Sequence, residues 1–253
     1  MKKIAVLVSG GGTNLQALID AQQRGALGGG EITAVISSKA GAYALERAKN
    51  AGIPGYVLPR KEFESNRAMT VALVELLKKL DIDLVVLAGC MIIFTEELVN
   101  AYPNAIMNVH PALIPAFCGP GYYGLHVHEE VLKYGVKLSG ATVHFVSEEC
   151  DGGPIIAQRA VEVHPDDTPE VLQKRIMEQA EWKLLPEAVA LFCQDRLSVE
   201  GRNVVIRKNV GASIARPLPQ LDTPQTDGQW PPLRRRINYE RLRNRLHGRK
   251  AGK

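Results

Sequence analysis

Through the first 110 residues, short apolar runs alternate with stretches of helical periodicity. The runs are IAVLVS (4–9), ITAVISS (32–38), GYVLP (55–59), DLVVLAG (83–89) and AIMNVH (105–110). Between them lie TNLQALIDAQQR (13–24), AYALERAKNAG (42–52), NRAMTVALVELLKKL (66–80) and TEELVNAY (95–102). Continuous β-rich runs between amphipathic helices predict βαβ units and a parallel sheet covered on both faces. The second half changes character. GATVHFVSEE (140–149) and PIIAQRAVEVHP (154–165), joined by a DGG turn, alternate more like antiparallel strands. Thr168 followed by Pro169 is a strong helix start, so one helix is predicted over 168–194. VVIR (204–207) adds a short strand.

From Ser213 the pattern dissolves. IARPLPQLDTPQTDGQWPPL holds five prolines and reads as a linker. RRRINYERLRNRLHGRK follows, with Ile237, Leu242 and Leu246 at roughly helical spacing. The expected organisation is a folded body over 1–210 and a poorly ordered Pro-rich and basic tail over 211–253. Charge divides the same way. Residues 1–200 carry 18 Lys and Arg against 24 Asp and Glu, a net −6, while 201–253 carry 13 against 3, a net +10. The tail is a solvated segment or a contact for a polyanion such as RNA; nothing in it reads bases.

Apolar residues make up 45% of the chain and charged residues 23%, an ordinary globular profile. Cys90, Cys118, Cys150 and Cys193 are scattered with no CxxC pair, which fits a reducing cytoplasm and argues against a disulfide framework or zinc cluster. MKKIAVLVSGGG has too short an apolar run for a signal peptide and reads as a first strand. No run approaches the roughly 20 apolar residues of a membrane span.

Two stretches carry chemistry. SGGGTN (9–14) sits between the first strand and first helix. Its glycines let backbone approach a ligand, and the helix N-terminus offers free N–H groups to a phosphate. The sequence is not GxGxxG, and Ser37, Ser38 and Lys39 stand where a ribose-binding acid would close the second strand, so a single phosphate fits better than NAD. The plainer reading is a tight turn with Thr13 as N-cap. NVHPALIP (108–115) ends a core strand on an amide, an imidazole and two prolines. A buried polar group without a partner costs about 1–3 kcal/mol. Asn108 and His110 are therefore either satisfied core groups or face a cleft. Asp151, in the DGG turn, completes a capable set: an amide donor for an oxyanion, an imidazole near neutrality and a carboxylate to orient it. No Ser or Cys sits in a nucleophile elbow. His126 and His128 form HVH without a third ligand at metal spacing, so no metal site is expected.

In order, the glycine loop, N-x-H-P-x-L-x-P, GLHVHE, GATVHFV and DGGPII resemble the phosphoribosylglycinamide formyltransferases over about residues 1–195. The resemblance implies a Rossmann-like α/β fold: a mostly parallel twisted sheet with helices on both faces and antiparallel strands toward the C-terminal half. It implies a phosphate-binding half over about 1–104 and a folate-binding half over about 105–210. It implies formyl transfer from 10-formyltetrahydrofolate to the amine of 5-phosphoribosylglycinamide, a cytoplasmic step of purine biosynthesis, in a monomer or dimer. Carried over by position, Asn108, His110 and Asp151 match the catalytic trio. Gly12, Thr13 and Asn14 match the phosphate loop, and Glu181 the acid that contacts the glycinamide. Met91, Ile92, Ile93 and Phe94, with Ser147, Glu148, Glu149, Cys150 and Asp151, match the loops that hold the folate, and Arg67 a basic residue beside it.

Three features depart from the common pattern. Ile92 stands where many relatives have an arginine, which removes an anchor for the folate. AFCGPGYYGLH (116–126) is long and rich in glycine and aromatic residues, and reads as a flap near the folate site. The tail has no counterpart. The alternatives are another formyltetrahydrofolate enzyme, methionyl-tRNA formyltransferase or formyltetrahydrofolate hydrolase, or a non-catalytic nucleotide- or RNA-binding protein that kept the fold. The tRNA enzyme needs a larger C-terminal domain and usually reads RGAAP in place of YYGLH. The hydrolase usually has a regulatory domain ahead of strand one.

Overall fold

The computed structural model describes residues 1–208; the linker and basic tail read from the sequence lie outside the described residues. Nine strands form one sheet: β1 (Lys2–Val8), β2 (Gly30–Ser37), β3 (Gly55–Val57), β4 (Leu84–Leu87), β5 (Ile106–His110), β6 (Leu138–Phe145), β7 (Ile155–Glu162), β8 (Leu197–Glu200) and β9 (Asn203–Ile206). Their order is β3-β2-β1-β4-β5-β6-β7-β9-β8. Pairing is parallel from β3 to β5, and β6 then runs antiparallel to both β5 and β7. The strand order reverses between β1 and β4, where open α/β sheets leave a crevice at the strands' carboxyl ends.

Seven α-helices cover the sheet: α1 (Thr13–Gln23), α2 (Tyr43–Asn50), α3 (Asn66–Lys79), α4 (Glu96–Ala101), α5 (Leu125–Tyr134), α6 (Pro169–Ile176) and α7 (Trp182–Cys193). Alternation along β1 divides the core. Ile4, Val6 and Val8 pack with Leu15 and Leu18 of α1 and Leu185 and Val189 of α7, whereas Ala5 and Leu7 face Leu73 and Leu77 of α3 on the other side. Each of these leucines is at most 2% exposed, and burying such a side chain stabilises by about 1.5–3 kcal/mol. Ser65 Oγ caps α3 by accepting the Ala68 N–H at 3.0 Å. Thr168 caps α6 ahead of Pro169, as the sequence predicts.

One expectation needs correction. The single helix over 168–194 is broken by a π turn, Met177–Glu181. That turn carries an extra residue, and Pro186 just beyond it lacks the N–H that would bond the Trp182 carbonyl. The short strand near 204–207 is half of a hairpin, β8–β9, whose first strand has a weak apolar pattern. GLHVHE, left without an element in the sequence reading, opens α5.

Candidate active site

The loops at the carboxyl ends of β1, β4 and β5, the 147–151 turn and the π turn surround one cleft of about 960 Å³. Every site residue singled out from the sequence lines it: Gly12, Thr13, Asn14, Arg67, Met91, Ile92, Ile93, Phe94, Asn108, His110, Ser147, Glu148, Glu149, Cys150, Asp151 and Glu181.

At one end is the glycine loop. Gly12, not Thr13, occupies the N-cap, in the left-handed region at φ 71°, and no side chain caps the helix. The first helical bond runs from the Gln16 N–H to the Gly12 carbonyl at 2.9 Å. No hydrogen bond within the described residues engages the N–H groups of Gly10 to Leu15. This is an anion-binding geometry. Behind Asn14 lies Glu181, whose Oε2 accepts from Asn14 Nδ2 at 2.6 Å. Burial pushes the Glu181 carboxyl up to about 6, against the opposing pull of the Asn14 amide.

The loop after β4 forms the adjoining wall. Ser9 Oγ accepts the Met91 N–H at 3.0 Å and so links this loop to the end of β1. Met91 and Ile93 are 60% and 72% exposed, an apolar lip at the cleft mouth. Arg67, at the start of α3, donates through Nε to Glu97 of α4. Ile92 adds no charge here.

Next to β4, on the side away from β1, β5 delivers Asn108 and His110. His110 is 4% exposed. Its Nε2–H donates to the Phe117 carbonyl at 2.7 Å, and its Nδ1 lies 3.5 Å from Asp151 Oδ2. Asn108 Nδ2 lies 3.4 Å from Asp151 Oδ1 and 3.2 Å from His144 Nε2. Asp151 adopts a left-handed backbone at φ 54° and accepts the Gly119 N–H at 3.0 Å. Burial by itself raises the Asp151 pKa, but His144, His110 and the Gly119 N–H outweigh it and hold the carboxyl below its ordinary value. Burial also lowers His110, while Asp151 and the Phe117 carbonyl pull it back up. The two directions conflict, since Asp151 favours a charged partner and burial a neutral ring. Geometry favours the charged ring: with Nε2–H on Phe117, a neutral imidazole would set its Nδ1 lone pair against the carboxylate.

Residues 2–189 match the formyl transferase family. The chain is 43% identical over 200 residues to phosphoribosylglycinamide formyltransferase of Haemophilus influenzae, covering 79% of this chain and 91% of that one. The chain belongs to the phosphoribosylglycinamide formyltransferases, a family of enzymes. It is also 41% identical over 209 residues to the chloroplastic phosphoribosylglycinamide formyltransferase of Arabidopsis thaliana, covering 82% and 71% of the two chains. Among solved structures, glycinamide ribonucleotide transformylase 1 from Symbiobacterium toebii superposes with a TM-score of 0.78 at 44% identity, over 82% of this chain and 95% of that one.

As a phosphoribosylglycinamide formyltransferase, the chain has site features that sequence reasoning passed over. His144 on β6 is 1% exposed, donates from Nδ1 to the Phe145 carbonyl at 2.8 Å, and turns Nε2 toward Asn108. GATVHFV contains it, but only its pairing across the sheet with Asn108 marks it as part of the site. The segment expected as a flap is drawn onto the trio, through the Phe117 carbonyl and the Gly119 N–H. His126 and His128 do not converge: His126 pairs with Glu129 at 3.1 Å, and His128 is fully buried with its imidazole depressed to about 4 by burial and then by His110. Among the described residues no helix is long and apolar enough to cross a membrane.

Proposed function

We propose that the chain transfers the formyl group of 10-formyltetrahydrofolate to the primary amine of 5-phosphoribosylglycinamide, in de novo purine biosynthesis, by direct attack through a tetrahedral intermediate. The observation that carries this reading is the convergence of Asn108, His110 and Asp151 in a cleft with a free-amide glycine loop at one end. In it, Gly12, Thr13 and Asn14 hold the substrate phosphate, and Glu181 faces the glycinamide. Met91 to Phe94, Ser147 to Asp151 and Arg67 flank the folate.

Asn108 Nδ2 and the Nδ1–H of His110 are the two donors for the oxygen that becomes negative. Each now reaches Asp151 only at long range, 3.4 and 3.5 Å. Catalytic hydrogen bonds commonly shorten only around bound reactants. An oxygen seated between the two donors would draw both; Asp151 would accept the proton shed by the attacking amine and return it to the folate nitrogen as that nitrogen's bond to the formyl carbon breaks, releasing tetrahydrofolate. The Phe117 carbonyl, holding Nε2–H, fixes which edge of the ring faces the cleft. The amine is itself the nucleophile, so this chemistry needs neither a metal nor a covalent enzyme intermediate. A reducing, cytoplasmic setting is supported by four free cysteines.

The test is turnover of glycinamide ribonucleotide with 10-formyltetrahydrofolate, read as tetrahydrofolate release. We expect release that depends on the amine substrate. Formate released in its absence would instead assign the hydrolase activity.

A further inference from the structure

The glycine loop is held from behind by α2. The Ala44 N–H donates to the Gly10 carbonyl at 3.1 Å. Arg47 Nε donates to the Gly11 carbonyl at 2.8 Å, and its Nη1 donates to Gln16 Oε1 on α1 at 2.9 Å. Arg47 is itself set by the Tyr43 ring, 5.0 Å below its guanidinium. At Gly12 a Cβ would come within 2.6 Å of Ala44 Cβ, so the loop lies in van der Waals contact with the helix.

These contacts have one geometric consequence. A peptide whose carbonyl is fixed toward α2 must present its N–H the other way. Fixing the Gly10 and Gly11 carbonyls therefore directs the N–H groups of Gly11 and Gly12 away from α2, on the side where the loop lines the cleft. Arg47 also bridges the loop to the first turn of α1, so the two sources of free N–H groups keep one relative position. Its positive charge sits behind the loop, against the field of any anion in front.

We propose that Arg47 is a positioning residue for the substrate phosphate: it does not line the cleft, but it orders the backbone amides that bind there. This rests on the phosphate-loop assignment made under Proposed function. A hydrogen bond to a charged group outweighs a neutral one, and a small misplacement of a binding group weakens recognition steeply. The effect should fall on the phosphorylated substrate alone.

The experiment compares wild type with Arg47→Met, Arg47→Lys and Tyr43→Leu. In steady-state kinetics, Arg47→Met should raise KM for glycinamide ribonucleotide about tenfold. Its kcat and its KM for the formyl donor should be nearly unchanged. Arg47→Lys keeps the charge but cannot span Gly11 and Gln16, and should fall between. Tyr43 is 60% exposed, so Tyr43→Leu keeps the fold and should give a smaller rise in the same KM even where Arg47→Met fails to fold. Calorimetric titration with inorganic phosphate needs no turnover, and should show binding weakened in the same order. Phosphate binding and KM unchanged in the Arg47 variants would overturn the proposal, as would equal changes in both KM values. If wild type binds phosphate in an Arg47-dependent way without catalysing formyl transfer, this inference stands and the functional reading fails.

Discussion

The side chains of Asn14 and Glu181, 167 residues apart in sequence, meet in a 2.6 Å hydrogen bond. The bond joins the first turn of α1 to the π turn between α6 and α7, and so fixes the glycine loop against the C-terminal helices. Among the described residues Asn14 Oδ1 has no partner, while Glu181 is 6% exposed and faces the cleft. The carboxyl is thus pre-positioned beside the loop, at the cost of a buried charge whenever it ionises.

That cost has a pH signature. Glu181 titrates at about 6 in the folded protein against an ordinary 4.5. A raised folded pKa means that the folded state binds the extra proton, so its stabilisation is complete below pH ~4.5 and is lost as pH rises through about 6. The shift corresponds to about 2 kcal/mol. Glu181→Gln should flatten the decline in urea-unfolding free energy between pH 4.5 and 6.5. Parallel profiles for the two proteins would show that this carboxyl is not the one responsible.

Asp151→Asn should act on His110 as well as on proton transfer. Removing the carboxylate takes away the largest influence that raises the His110 pKa. The NMR titration midpoint of His110 should therefore move down. The donor to the oxyanion is weakened, and kcat should fall about 10²- to 10³-fold. A His110 midpoint that stays in place would mean that the pair at 3.5 Å is not electrostatically coupled.

Much of this site was legible in the chain. Apolar runs located β1 through β7: the parallel strands β1 to β5 leave a continuous signature, the antiparallel β6 and β7 a more alternating one, and NVHP marked the strand end that meets the cleft. What escaped notice lies in tertiary context. The β8 strand is half-buried and short, so LSVE carries little period. The π turn depends on how α6 and α7 pack, which no local periodicity records. His144 alternates inside an ordinary core strand, and only the register of β6 on β5 brings it to Asn108. Thr13 has the side chain of an N-cap, yet the left-handed Gly12 takes that position and leaves the helix amides free.

His144→Phe keeps the volume of a core side chain and removes both polar contacts. Asn108 loses its 3.2 Å partner, and Asp151 loses the strongest of the influences that hold its pKa down. The acid limb of the pH–rate profile should move upward as Asp151 becomes easier to protonate. Loss of the hydrogen bond between Asn108 and His144 is worth about 0.5–1.5 kcal/mol, or about a two- to tenfold fall in kcat. An acid limb that does not move, with kcat reduced, would leave His144 a structural residue only.

Gly12→Ala tests the loop from the other direction. Its φ of 71° is strained for any residue with a Cβ, and that Cβ would meet Ala44 Cβ at 2.6 Å and Ala44 Cα at 2.9 Å. Gly25 supplies the control: its φ is 69°, and a Cβ there meets nothing within 4 Å. Gly25→Ala should lose only the backbone term, about 1–2 kcal/mol, with both KM values unchanged. Gly12→Ala should lose more, because backbone of α2 stands in the way and has to move. Its KM for the phosphorylated substrate should rise while that for the formyl donor holds. Equal losses of stability in the two variants, with KM unmoved in both, would mean that the loop shifts freely and that its contact with α2 sets nothing at the phosphate end.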